Sequence, residues 1–380
     1  MDFRFTEEHE MVGELARKFA ENEVRPLAMD IDRNADVPKE LIDKISELGF
    51  MGIPFPEEYG GGDLGEIGYC ILTEEIARVC LSTAATIGGH VSIGAMAVYL
   101  GGTEEQKQRL LPEMCMGEKL AAFALTEPQA GSDAGAISTT AVRKGDKYIL
   151  NGQKTFITNG GIADVYSVFA VTNPGAGLRG VSAFLVDKNL PGFTAGSPEA
   201  KMGIRGSHTT DLFFEDVEVP AENLLGEENQ GFPLAMKTLD VGRIGVGAQC
   251  LGGAKGVLEL SKQRALQRVQ FGKPIAKLQA IQWMLAEMAT EVYNMENAVY
   301  RTAWMCDNNI PFSRQSAMTK LYCSEAFGRI VDHAVQIHGG MGYMSEYPIE
   351  RFYRDARIMR IYEGTNEIQK LVIARDVLKQ

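Results

Sequence analysis

Tyr148-Ile149-Leu150, Asn151-Gly152 and Thr155-Phe156-Ile157-Thr158 decide how this chain folds, because this β-rich run interrupts a sequence that is otherwise helical in period. Asn-Gly readily supplies the positive φ angles of a tight turn, so the run reads as a hairpin. Val165 to Val171, Val181 to Val186 and Leu212 to Val219 read as further strands between breaks of Gly, Pro and Asn. A compact β domain is therefore expected over residues 118–232.

On either side the period changes to 3.6. Met11, Val12, Leu15 and Phe19 fall on one helical face, and Leu41, Ile42, Ile45 and Leu48 form another, opened by Pro38 and stopped by Gly49. Thr103 and Gln106 form a capping-box pattern ahead of Leu110 and Leu111. Residues 1–117 thus read as an α-helical domain. After Gly231 the helical period returns, with runs from Ala276 to Arg301 and Arg314 to Val335 long enough to pack as a bundle over 233–380. The expected class is α+β and multidomain.

The 380 residues, 45% of them hydrophobic, suffice for a large core. A net charge of -12 argues against nucleic-acid backbone binding, which needs clustered Lys and Arg. The six cysteines show no Cys-x-x-Cys pair and no zinc spacing, and read as buried thiols of a reducing compartment. Neither a signal nor a transit peptide is visible at Met1 to Glu8, and no uninterrupted apolar stretch is long enough for a membrane span. The expected location is the cytoplasm.

Several familiar motifs fail on context. Gly60, Gly62 and Gly65 have dinucleotide-loop spacing, but they lie in a helical zone with no βαβ unit and read as a turn between helices. There is no Gly-x-x-x-x-Gly-Lys loop and no Gly-x-Ser-x-Gly elbow. His9, His90, His208, His333 and His338 lack ligand spacing with carboxylates, so no metal site is expected.

Two segments carry chemistry. Phe123-Ala124-Leu125-Thr126-Glu127-Pro128-Gln129-Ala130-Gly131-Ser132-Asp133 sets an apolar run beside hydroxyls and a glycine turn, suiting an aromatic ring system with a polar edge and a phosphate nearby. Ile361-Tyr362-Glu363-Gly364-Thr365-Asn366-Glu367 places a carboxylate between an aromatic ring and a glycine that permits close backbone approach. Taken singly, a Thr-Glu-Pro is more often a turn and a Tyr-Glu-Gly more often a helix boundary.

Together these segments resemble signatures of the acyl-CoA dehydrogenase family, and the resemblance runs over essentially the whole chain. It is nearest to the short-chain, butyryl-CoA type in Leu150-Asn151-Gly152, Lys154, Lys201-Met202-Gly203-Ile204-Arg205-Gly206-Ser207 and Arg354-Asp355-Ala356-Arg357. The resemblance implies a helical N-terminal domain, a middle β-barrel or sandwich and a C-terminal four-helix bundle. It implies FAD as cofactor, an acyl-CoA substrate converted to a trans-2-enoyl-CoA, an electron-transferring flavoprotein as partner, and a homotetramer.

It makes Glu363 the catalytic base that removes the α proton of the thioester while the β hydride passes to the flavin. Burial beside substrate and flavin is expected to raise the Glu363 pKa. Phe123, Leu125, Thr126, Phe156, Ile157 and Thr158 are implied to line the flavin, with Phe156 where many relatives carry Trp. Gly131 and Ser132 are implied to approach the pyrophosphate and pantetheine. Arg268, Phe271 and Gln279 match a segment that reaches the FAD of a neighbouring subunit, and Gln336, Ile337, Gly339, Gly340, Thr365 and Glu367 match the remaining FAD contacts. For the thioester the implied residues are Ser132, Leu239, Asp240, Arg243, Tyr362 and Gly364. Some relatives, the isovaleryl type among them, place their base immediately before this arginine. Gly242 cannot serve there.

The acyl cavity is expected to end around Ala84 to Val91, with Ala85 and Gly89 small and four apart on one helical face. His90 reads as a core or solvated residue, or else as a polar contact to the acyl tail. No arginine of the kind glutaryl-CoA dehydrogenases use is present, which disfavours a dicarboxylyl substrate. Chain length, branching and direction stay open: the same site run backward is an enoyl-CoA reductase, with electrons sent to oxygen it is an oxidase, and a binding scaffold is the non-enzymatic alternative.

Overall fold

The structure, a computed structural model, describes residues 4–379. Helices α1 (Glu7–Phe19), α2 (Ala28–Asn34), α3 (Lys39–Glu47), α4 (Gly65–Ala77), α5 (Leu81–Gly88), α6 (Met96–Gly101) and α7 (Glu104–Cys115) come first. Then follow β1 (Ala121–Ala124), β2 (Thr140–Lys144), β3 (Lys147–Thr158), β4 (Val165–Val171), β5 (Val181–Asp187), β6 (Phe193–Ala195), β7 (Thr209–Pro220) and β8 (Leu224–Leu225). The chain closes with α8 (Gly231–Gln267), a short hairpin of Val269–Gln270 and Lys273–Pro274, α9 (Gln279–Asp307), α10 (Ser313–His338), α11 (Pro348–Ala356) and α12 (Asn366–Val377). The order helical, sheet, helical is the expected one.

The strands form one sheet in the order β6-β7-β3-β2-β4-β5-β8, with β1 parallel to β4. Tyr148 of β3 and Phe184 of β5 have two strands, β2 and β4, between them in that order, yet their rings are 4.9 Å apart, so the sheet curls over its own interior. Alternation sorts β4 and β5 between two cores. Tyr166, Val168, Phe184 and Val186 point into the sheet's interior, whereas Val165, Phe169, Val181 and Leu185 point outward and join the core shared with the helices. Both faces of these strands are thereby dry.

Asn151-Gly152 does not turn the chain. β3 runs on without interruption from Lys147 to Thr158, and its pairing with β7 shifts register between Leu150 and Gly152. The positive φ of Gly152 (148°) serves a bulge, and Asn151 is paired across it: its Nδ2 donates to Asp216 Oδ1 at 2.9 Å, and the Asp216 N–H donates to Asn151 Oδ1 at 2.8 Å. The hairpin turn lies one strand earlier, at Gly145, where Lys144 pairs with Lys147. A second shift between Lys154 and Ile157 brackets Phe156, whose φ is +57°.

Helix α1 buries Ala16 and Phe19 with Val12 partly covered, while Met11 and Leu15 face outward, so its inner face is rotated from the expected one. Helices α3 and α7 start as expected, at Pro38 and at the Thr103–Gln106 capping box. The helical run Leu81–Gly101 is long and apolar enough to cross a membrane, but 94% of its apolar window is buried inside the protein. Within it, Gly89–Ala95 is π-helical. Such local widening often marks functional positions.

His90 proves to be a core residue. Its Nε2 lies 3.0 Å from the Met114 carbonyl and its Nδ1 accepts the Ala121 N–H at 2.9 Å, tying α7 to β1. Burial lowers its pKa to about 4, so it is neutral. The motifs around Met202 and Arg354 are structural as well. Arg354 bridges Asp32 of α2, Glu350 of α11 and the Met202 carbonyl, locking the three zones together.

Candidate active site

Glu363 sits in the turn between the helical turn Ile358–Arg360 and α12. Its φ is +53° and that of Gly364 is +91°. Two successive left-handed residues are easy for glycine, but for glutamate the conformation costs on the order of 1–3 kcal/mol and persists only where neighbours enforce it. Four contacts do so. Arg243 Nε donates to the Glu363 carbonyl at 3.1 Å, Gln369 Nε2 donates to the Glu363 and Gly364 carbonyls at 3.2 and 2.9 Å, and Lys320 Nζ donates to the Gly364 carbonyl at 2.8 Å. Thr365 then caps α12 by accepting the Ile368 N–H.

The carboxyl that this turn projects lies on the surface of α8. A Cβ on Gly242 would stand 2.4 Å from Glu363 Oε2 and 2.7 Å from Ile93 Cγ2, so the missing side chain is the space the carboxyl occupies. Oε2 is buried and has no hydrogen-bond partner. Burial raises the Glu363 pKa from 4.5 to about 7, with Arg243 and Lys320 pulling the other way. An orphaned, desolvated carboxylate near neutrality has the makings of a general base.

Helix α8 supplies the adjoining wall. Arg243 is buried and pairs with Asp240 at 2.8 Å, and Leu239 is half-buried against the core. The Tyr362 hydroxyl donates to Gln249 Oε1 at 3.0 Å. Gln249, Lys320 and Gln369 escaped the sequence reading. The one signal for Gln249 is its place seven residues beyond Gly242, on the same face of a glycine-rich helix. The segment Ala84 to Val91, where the acyl end is expected, is buried throughout. Gly89 packs on the middle domain, and Gly88 meets Tyr69 and Gln249.

On the middle-domain side, the Thr155 N–H donates to the Thr126 carbonyl at 2.9 Å, which sets Phe123, Leu125 and Thr126 beside Phe156 and Thr158. Glu127 does not face this surface. It forms a buried ion pair with Lys154 at 2.7 Å and accepts from the Ser138 and Thr139 N–H groups, while Lys154 also donates to the Leu125 carbonyl. Burial alone would raise the Glu127 pKa, but Lys154 and these donors hold it below the usual carboxylate range. The pair shapes the loop in which Gly131 and Ser132 lie exposed. Phe156 is 67% exposed, and Thr126 and Thr158 are half-buried. The Ile157 side chain, in contrast, is inside the sheet's core, which leaves only its backbone for a cofactor.

The π-helical turn joins these two halves. A Cβ on Gly89 would stand 2.6 Å from Thr158 Cγ2, and four residues on, Ile93 touches the Gly242–Glu363 contact. The open aromatic and hydroxyl surface of the middle domain and the Glu363 carboxyl therefore flank one short helical segment. The other expected cofactor residues are not brought here. Arg268, Phe271 and Gln279 are exposed around the hairpin between α8 and α9, and Gln336, Gly339 and Gly340 are exposed at the end of α10. Ile337 is buried in the core, and Glu367 faces outward on α12.

Comparison with known proteins identifies the frame. The N-terminal, middle and C-terminal domains of acyl-CoA dehydrogenase match residues 6–118, 122–217 and 229–378. The chain belongs to the acyl-CoA dehydrogenase family, whose members are FAD-dependent oxidoreductases. It is 50% identical to an acryloyl-CoA reductase (NADH) of Anaerotignum propionicum over 382 residues, covering all of this chain and 97% of the relative. The fold superposes with a TM-score of 0.98 on butyryl-CoA dehydrogenase from Megasphaera elsdenii, at 45% identity with both chains fully covered. It superposes with a TM-score of 0.99, at 47% identity and full coverage of both chains, on a chain in the structure of the electron-transferring flavoprotein of Acidaminococcus fermentans, which addresses flavin-based electron bifurcation. The residues present fit FAD. An exposed aromatic at a strained bulge, two free hydroxyl positions beside it and an orphaned carboxyl across the π-turn are what a planar ring with a reacting edge requires.

Proposed function

We propose that this enzyme interconverts a short- to medium-chain acyl-CoA and its trans-2-enoyl-CoA, with Glu363 moving the α proton and electrons exchanged with an electron-transferring flavoprotein. The observation that carries the reading is the buried, unpartnered Glu363 Oε2 lying in the space left by Gly242. In dehydrogenation the Cα–H and Cβ–H bonds break and a Cα=Cβ bond forms. The proton goes to Glu363; FAD, when bound, would supply the two-electron acceptor for the β hydride.

The chain's own groups do the rest. Thr126, Phe156 and Thr158 would hold the ring, and Arg243 with Asp240 would hold the pantetheine side of the thioester. The Glu363 N–H, which has no acceptor among the described residues, is free to polarise the thioester carbonyl. A carboxyl titrating near 7 is present in both protonation states at neutral pH, so the same residue can return a proton to Cα. That property, with the relative named as a reductase, keeps enoyl-CoA reduction as a second reading.

The expected assembly is a cytoplasmic homotetramer. The six unpaired cysteines and the exposed hairpin at Phe271 support it. The test is anaerobic titration of the purified flavoprotein with straight, branched and cyclic acyl-CoAs, and of its reduced form with the matching enoyl-CoAs. Loss of visible flavin absorption with one class identifies the substrate. A flavoprotein unchanged by every thioester refutes the reading.

A further inference from the structure

Lys320 lies on α10 with its side chain fully buried, and the chemistry above makes no use of it. Its ammonium donates to the Gly364 carbonyl at 2.8 Å and to Asn366 Oδ1 at 3.0 Å. Asn366 in turn donates to Ser324 Oγ at 3.0 Å and to Glu325 Oε1 at 2.7 Å, so the anchor is itself held by α10. A buried lysine is costly unless its charge is compensated. Among the described residues no carboxylate contacts it directly, and its two partners are a carbonyl and an amide of the turn that presents Glu363.

We propose that Lys320 is a positioning residue for proton transfer, its buried ammonium gripping the Gly364 carbonyl so that the left-handed Glu363–Gly364 turn holds the carboxyl over Gly242. The proposal rests on Glu363 being the base. A neutral donor could satisfy the same carbonyl, as Gln369 already does at 2.9 Å. The positive charge adds a field below about pH 8, the value to which burial lowers the Lys320 pKa. The titratable groups facing Glu363 are Arg243 from α8, Lys320 from α10, Glu66 from α4 and Tyr362 beside it. Arg243 and Lys320 oppose the upward push of burial, and without Lys320 the carboxyl would titrate higher still.

The experiment compares Lys320→Met, which removes both grip and charge, with Lys320→Gln, which keeps a donor for the carbonyl and loses the charge. Three readouts are taken on the holoenzyme. The first is the pH profile of single-turnover flavin reduction. The second is the pH titration of the charge-transfer band formed with a 3-thia-acyl-CoA, which can lose its α proton but cannot be oxidised. The third is FAD retention.

Lys320→Met is expected to lower the limiting reduction rate about 10- to 100-fold, the scale of a small misplacement of a catalytic group. Its acid limb should move upward while FAD retention and KM hold. Lys320→Gln is expected to shift the limb in the same direction with a smaller rate loss. Wild-type rates and limbs in either folded variant overturn the proposal. So does loss of FAD in step with activity in both variants, which would make the lysine purely structural. If the wild type itself neither bleaches with any thioester nor forms the band, the dehydrogenase reading fails first, a result distinct from a wild type that responds and variants that match it.

Discussion

A Cβ placed on Gly242 would stand 2.4 Å from Oε2 of Glu363. The helix and the turn thus share one site for a carboxyl, and only one of them can fill it. Gly242→Ala is expected to push the Glu363 carboxyl out of place and to lower the flavin-reduction rate about 10- to 100-fold with FAD still bound. Moving the acid, as Gly242→Glu combined with Glu363→Gly, should recover part of that rate, because the new side chain starts from the point the old one reaches. Stopped-flow reduction of the two variants checks both outcomes. An active Gly242→Ala enzyme would place the base elsewhere.

The pH dependence follows from burial. Glu363 titrates near 7 in the fold against 4.5 as its ordinary value, so the carboxylate needed for dehydrogenation forms only as pH rises through about 7. The reduction rate should climb with pH and level off above that value, and Glu363→Gln should abolish reduction while retaining FAD and thioester. Stability runs the other way. Because the folded state binds this proton more tightly, the contribution is present below about pH 4.5 and is lost as pH rises through 7. At alkaline pH, Glu363→Gln should therefore be more stable than the wild type by at most about 3 kcal/mol, and near pH 4 by about nothing. Buried Glu66 is raised mainly by its own burial, which is common to both proteins, and in smaller part by the Glu363 charge that the variant removes. Melting temperatures of the pair at the two pH values decide it.

The fold was legible where period alone determines burial. The 3.6-residue helices and the alternating strands of β4 and β5 stand where their apolar residues demand. Asn151-Gly152 misled because a positive φ suits a bulge as well as a turn, and the choice was made by Asp216, 65 residues away, pairing across the strands. The α1 face was rotated for a similar reason: Met11 and Leu15 are apolar, but the partner that selects Ala16 and Phe19 is elsewhere in the chain. In the site, Glu363 was readable from its segment together with its family likeness. Lys320, Gln369 and Gln249 were not, since each acts on a backbone carbonyl or a hydroxyl that only tertiary folding brings near.

The Lys154–Glu127 pair offers a test of what shapes the cofactor surface. Both side chains are fully buried, and Lys154 also holds the Leu125 carbonyl. Lys154→Met leaves a carboxylate buried without its cation, a change that typically costs about 3–5 kcal/mol. The expected result is a lower melting temperature and FAD lost on gel filtration. Lys154→Met with Glu127→Gln removes the stranded charge and should regain much of the stability but not all of the FAD affinity, because the Leu125 carbonyl stays ungripped. Equal FAD retention in the double variant and the wild type would show that the loop keeps its shape without the lysine.

Phe271 is the most exposed large apolar residue of the hairpin between α8 and α9, at 89%, and its φ of +51° is strained for a bulky side chain. Val269 and Leu266 beside it are also more than half exposed. A strained, solvent-facing aromatic on a tight hairpin is explained if a second copy of the chain covers it, and the implied target is that copy's FAD. Phe271→Asp should then weaken FAD retention and reduce the molecular mass in solution together, while the helical content and melting of the apo-protein stay near wild type. Multi-angle light scattering and flavin-to-protein ratios, measured on the same fractions, separate the outcomes. Lower mass with full FAD occupancy would leave the hairpin as an interface element alone, and unchanged mass with lost FAD would put its contact within the same chain.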